Sequence, residues 1–107
     1  MKFNEVIQWI KEPEKLIDYR VVDELIFHVS AWKTDKEEEL VEIDQQVAAK
    51  RLELIEIHKS VAKADAHLAV EPIYIQQQKI EFSIKQLSSF RSNLKRRFDV
   101  LTENFRG

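Results

Sequence analysis

A seven-residue repeat written twice, once on each side of a proline, constrains this chain more than any other feature. Before Ala69-Val70-Glu71-Pro72, the residues Leu40, Ile43, Val47, Lys50, Leu54, Ile57, Val61, Ala64 and Leu68 recur in steps of three and four. After it, Ile73, Gln77, Ile80, Ile84, Leu87, Arg91, Leu94, Phe98, Leu101 and Phe105 do the same. Each series is the seam of a coiled coil. Proline has no N–H to give a helix, and it disfavours the helical region for Glu71 before it. The simpler reading is a hairpin of two long antiparallel helices, 36–69 and 72–105, that reverses at Glu71-Pro72. The alternative is one continuous helix kinked at Pro72. In the hairpin, facing residues have numbers that sum to about 141, which sets Lys50 opposite Arg91, Ala64 opposite Gln77 and Asp44 opposite Arg97.

The rest of the chain reads as helix as well. One glycine and two prolines in 107 residues leave little turn chemistry for strands, so the fold class is all-α, a single helical domain over 1–107. Phe3, Val6, Ile7 and Ile10 mark a short first helix that stops before Glu12-Pro13. Pro13 suits the first turn of a second helix, whose face of Leu16, Ile17, Val21, Val22, Leu25, Ile26, Val29 and Trp32 is wide enough for two partners. Trp9 and Trp32 read as core. Lys33-Thr34-Asp35-Lys36 breaks the pattern and offers a capping box with Glu37 or Glu38, ending the N-terminal helices at about residue 33. Second apolar lines flank both seams: Val41, Ala48, Leu52, Ile55, Ala62, Ala66 and Ala69, then Ile75, Phe82 and Phe90. Helices with two apolar lines need more than one neighbour, so a homo-oligomer is expected.

Composition excludes several chemistries. There is no cysteine, hence no disulfide framework and no thiolate metal site. No Gly-rich phosphate loop and no nucleophile motif is present. His28, His58 and His67 lack the carboxylate three residues earlier that helical di-metal sites use. Glu24 with His28, or His67 with Glu71, is only a pair and reads as a surface contact. No enzyme, metal or cofactor is expected. No apolar run reaches membrane-spanning length, so a soluble cytoplasmic protein without membrane contact is expected.

Positive charge carries what remains. Residues 1–71 have a net charge of −6 and residues 72–107 of +4. Lys50-Arg51, Arg91 and Lys95-Arg96-Arg97 converge if 91–97 lie opposite 44–50, and phosphate backbones are held by such patches. Phe90 and Phe98 could then stack on bases, as in single-strand binders. The competing reading pairs the bases with Glu39, Glu42, Asp44 and Glu53 across the hairpin. The acidic run Glu37-Glu38-Glu39 suits a helix start, where the dipole favours it.

The stretch Ser30-Ala-Trp-Lys-Thr-Asp-Lys-Glu-Glu-Glu-Leu-Val-Glu-Ile-Asp-Gln-Gln-Val-Ala-Ala-Lys-Arg-Leu-Glu-Leu-Ile55 resembles the middle of the phage UvsY-type recombination mediators. The basic run from Phe90 to Leu101 resembles the C-terminal helix of small phage proteins of that kind. Lys50 and Arg51 are adjacent where the family spaces its pair Lys-x-Arg, and Leu54-Ile55 replaces an aromatic pair. The resemblance implies a ring-forming homo-oligomer in the cytoplasm of a phage-infected host. It implies single-stranded DNA binding, with a recombinase and a single-strand-binding protein as partners. Lys50 and Arg51 would contact the DNA, and Arg91, Lys95, Arg96 and Arg97 would assist. Two other readings stand beside it: a small phage-type inhibitor or adaptor that docks on a host protein through acidic residues 35–44, and a purely structural coiled-coil assembly protein.

Overall fold

The computed structural model describes residues 3–12 and 18–106. They form four helices: α1 (Phe3–Lys11), α2 (Tyr19–His58), α3 (Val61–Leu68) and α4 (Pro72–Arg106). No strand occurs among the described residues. Pro13, Leu16 and Ile17 lie outside them. The fold class expected from the repeat is therefore the one observed: all-α, with two long helices packed antiparallel.

The helix boundaries differ from expectation in two places. The first is at 33–36, where no break occurs. Helix α2 runs 40 residues without interruption, about 60 Å at 1.5 Å per residue. Thr34 and Asp35 favour caps, but neither glycine nor proline stands nearby. Residues 33–39 are all polar, but Lys33, Lys36 and Glu37 to Glu39 are good helix formers, and their summed propensity outweighs the capping preference of Thr34 and Asp35.

The second difference is the point of reversal. The chain turns back at Lys59-Ser60, not at Glu71-Pro72. Lys59 adopts a left-handed conformation with φ 53°, which ends α2 in the way a glycine usually does. Ser60 follows in extended conformation (φ −152°, ψ 127°), and its hydroxyl caps α3 by accepting from the Lys63 N–H at 3.4 Å. At Pro72 the chain only bends. Ala69 keeps helical angles (φ −58°, ψ −24°). The N–H groups of Ala69, Val70 and Glu71 donate to the carbonyls of Asp65, His67 and Leu68, and the Glu71 carbonyl then accepts from Tyr74 and Ile75. Pro72 sits in the first turn of α4, where its missing N–H costs nothing. Neither expectation describes this segment: α3 and α4 are separate helices parted at Ala69 to Glu71, so the helix is not continuous through Pro72, and the reversal lies at Lys59-Ser60.

Moving the reversal changes the register. Asp44 with Gln77, and Ser30 with Arg91, are bonded pairs whose numbers sum to 121, not about 141 as the hairpin at Pro72 requires.

Two compact units share α2 and α4. One comprises residues 1–33 with 86–107, the other residues 34–85. In the first, Val22, Leu25 and Val29 of α2 are fully buried against Leu87 and Leu94 of α4. Trp9 of α1, Trp32, Phe90 and Phe98 close around them, and Tyr19 meets Phe98 edge to face at 6.3 Å. The wide face of α2 thus does serve two partners. In the second unit, Ile43, Val47 and Leu54 pack with Ala64 and Leu68 of α3 and Ile80 of α4.

The seam survives the change of register. Among its described members, only Ile57 and Val61 are exposed (62% and 52%), and they flank the reversal.

Candidate nucleic-acid interface

The six bases singled out in the sequence do not form one layer. Lys50 lies in the second unit, half-buried, with its Nζ 3.7 Å from Glu53 Oε1 on its own helix. Its neighbour Arg51 donates from Nε to Asp65 Oδ1 at 2.9 Å. That carboxylate belongs to α3 and was not among the partners expected from the sequence, because the reversal that brings α3 beside Arg51 was placed elsewhere. Arg91 does not face Lys50. It is half-buried in the first unit and donates from Nε to the Ser30 hydroxyl at 2.9 Å. Asp44 does not face Arg97 either; its Oδ1 accepts from Gln77 Nε2 at 2.7 Å. Arg97 is half-buried and engaged in an interaction of its own.

Lys95 and Arg96 differ from the other four. Both are exposed, and neither has a carboxylate partner among the described residues. They stand on a stretch of α4, Gln86 to Phe98, that carries four bases and no acid. Its helical spacing places Ser89, Asn93 and Arg96 along one exposed line and Ser92 and Lys95 along the next. A polar surface of this kind, with positive charge and its nearest acid on α4 one turn on at Asp99, suits a phosphate backbone. Aromatic help is not on offer there: Phe90 and Phe98 pack into the core, which removes the stacking role considered for them.

The contrasting surface lies on α2 in the second unit. Thr34 to Asp44 holds six acids and one base, Lys36, whose Nζ meets Glu39 Oε2 at 3.1 Å. A groove of about 250 Å³ runs beside it over Ile43 and Ile80, rimmed by Glu39, Glu42, Gln46 and Gln76. The sequence reading set the convergent bases against this part of α2, and the groove is acidic instead. A second cleft, of about 310 Å³, lies along α1 at Glu5, Gln8, Trp9 and Glu12.

The histidines make surface contacts. His28 Nε2 is 3.7 Å from Glu24 Oε1. The rings of His58 and His67 stack at 4.1 Å, 6° from parallel, across the reversal. Among the described residues no three His, Cys, Asp or Glu side chains group as metal ligands. No helix among them is long and apolar enough to cross a membrane. Among the described residues one pair has a perturbed titration. At the start of α2, the Arg20 guanidinium and backbone N–H both bond Asp18, which holds its carboxyl below the usual aspartate range.

The chain matches no protein-family model, no curated protein and no solved structure.

Proposed function

We propose that this protein is a non-enzymatic, single-stranded-DNA-binding protein that works as a homo-oligomer, with recombination mediation as its narrower role. The observation that carries the reading is the acid-free stretch of α4 from Gln86 to Phe98, with Lys95 and Arg96 exposed and unpaired with carboxylates among the described residues. In a chain with 19 acids, that is where a polyanion meets least repulsion. The contact to DNA shifts accordingly, from Lys50 and Arg51 to Lys95 and Arg96, with Arg91 and Arg97 behind them. The narrower role, with a recombinase and a single-strand-binding protein as partners, draws its support from the likeness of 30–55 and 90–101 to the UvsY-type mediators.

The test is titration of a labelled single-stranded oligonucleotide at two salt concentrations. The unaltered protein is expected to bind more weakly as salt rises. Lys95→Ala/Arg96→Ala is expected to lower the slope of log affinity against log salt by about 1.4, from about 0.7 per phosphate contact. Lys50→Ala is expected to bind nearly as the parent does. Absence of binding at low salt would remove the reading.

A second reading, the structural assembly protein, is favoured by a different observation. Val41, Leu52, Ile75 and Phe82 are 45–66% exposed on the long helices of one unit. It predicts a defined oligomer that ignores the oligonucleotide.

A further inference from the structure

We infer that the outer stripe of α2 in the second unit, Val41-Gln45-Ala48-Leu52, is a self-complementary docking surface for a second copy of this chain, paired antiparallel. The inference deepens the expectation of a homo-oligomer stated above, and it does not depend on DNA binding.

The four residues follow the four-three-four spacing of a coiled-coil seam, on the side of α2 away from Ile43, Val47 and Leu54. All four are exposed, and Val41 and Leu52 strongly so, at 60% and 66%. An apolar seam of this kind has its own hydrophobic positions but no occupant within the unit.

Charge selects the occupant and its direction. If Val41 of one copy meets Leu52 of the other, Gln45 meets Ala48, and the small Ala48 leaves room for the glutamine. A two-fold axis then repeats both layers. The same register carries Asp44 to Arg51 of the second copy, twice by symmetry, and Glu37 to His58. Both flanking groups have atoms to give. Arg51 uses only its Nε on Asp65, so its two terminal amino groups face no acceptor among the described residues. Asp44 uses only Oδ1 on Gln77, which leaves Oδ2. Asp35 and Glu56 come together at the outer ends of the contact, where solvent screens them. A parallel pair would instead set Glu37 beside Glu42 and deprive Asp44 of any base. Acid in the first half of the stripe and base in the second is the pattern that an antiparallel copy satisfies.

Single-cysteine variants test the geometry, since the chain has no cysteine of its own. Val41→Cys and Leu52→Cys are mixed under mild oxidation after each is confirmed helical. The expected product is the mixed disulfide, in excess over either homodimer. A Val41→Cys homodimer as the main product would overturn the antiparallel arrangement, and no cross-link in a protein that sediments as an oligomer would overturn this surface alone. A protein that sediments as a monomer at every concentration would overturn self-association altogether. Independently, Arg51→Glu is expected to weaken association about tenfold, near 1.4 kcal/mol, and Asp44→Arg added to it to restore most of the loss. Equal association by all three proteins would also overturn the proposal. Oligonucleotide binding is read separately, so its failure leaves these outcomes intact.

Discussion

The two units are built from the same pair of long helices in the same register, yet they are covered very differently. In the unit of residues 1–33 and 86–107, Val22, Leu25 and Val29 of α2 are wholly buried, Leu87 and Leu94 of α4 keep 7% and 3% of their surface, and Phe27 and Val100 are the large apolar side chains left exposed among its described residues. In the unit of residues 34–85, the large core side chains keep 5–7% of their surface, and seven large apolar residues are exposed, from Val41 to Phe82. The difference lies in the third element. The first unit has Trp9 of α1 and Phe90 and Phe98 of α4 to lay over the wide face of α2. The second has α3, only 8 residues long, which offers Ala64 and Leu68. Two helices bury one stripe each, and a short third helix cannot cover a second stripe on both. What the second unit lacks in cover it can obtain from another molecule.

The largest effect that would break this contrast is a core truncation made once in each unit. Leu25→Ala should cost about 3–4 kcal/mol and Leu54→Ala about 2–3 kcal/mol, because the closed site relaxes less around the cavity. Urea denaturation of both variants measures this, and equal losses would remove the distinction.

A smaller, opposite effect belongs to the second unit alone. Lys59→Gly should stabilise the fold by about 1 kcal/mol, since glycine enters the left-handed conformation without the cost an L-residue bears there. A melting temperature unchanged or lowered would show that the reversal is held by something other than the Lys59 backbone.

The smallest effect belongs to the first unit. Asp18 binds its proton less readily when folded, so its bonds to Arg20 contribute above the ordinary aspartate range and are lost as pH falls through the depressed value. Acid should therefore loosen the start of α2. Amide exchange of Val21 and Val22 at acid and neutral pH, against Asp18→Asn, measures it. No difference between parent and variant would sink the idea.

Much of this architecture was legible from the spacing of apolar residues alone. The inner stripes from Leu40 to Leu54 and from Ile73 to Leu101 are the buried or half-buried ones, and Trp9 and Trp32 sit against the core as expected. The point of reversal was not legible. A proline is a conspicuous breaker, and Pro72 lies in a helical first turn where it breaks little. The true stop is a lysine in a conformation that lysine seldom takes, followed by Ser60. That serine was the one available signal, a cap-forming residue on the edge of the long pattern. Register follows from the reversal point, so one misplaced turn moved the facing pairs by about 20 positions in summed number, from about 141 to 121 for Asp44 with Gln77 and Ser30 with Arg91. The candidate site inherited that error. Lys50 and Arg51 were legible as a basic pair, but Asp65 could not be set beside Arg51 without the turn at Ser60.

The position of that turn also bears on how the chain reaches its fold. Arg51 and Asp65 are 14 residues apart in sequence, Asp44 and Gln77 are 33, and Ser30 and Arg91 are 61. Loop closure costs more as the loop lengthens, by about 0.6 kcal/mol per doubling. Once the contacts nearest Lys59-Ser60 have formed, each more distant pair closes a loop already shortened by the one before it. The pairing should therefore zip outward from the turn, with Leu54 and Ala64 joined early and Leu25 with Leu94 late. Truncations near the turn should slow folding, and those at Leu25 should chiefly speed unfolding. The reverse pattern in stopped-flow kinetics would mean that the well-covered unit, despite its long-range contacts, is where folding begins.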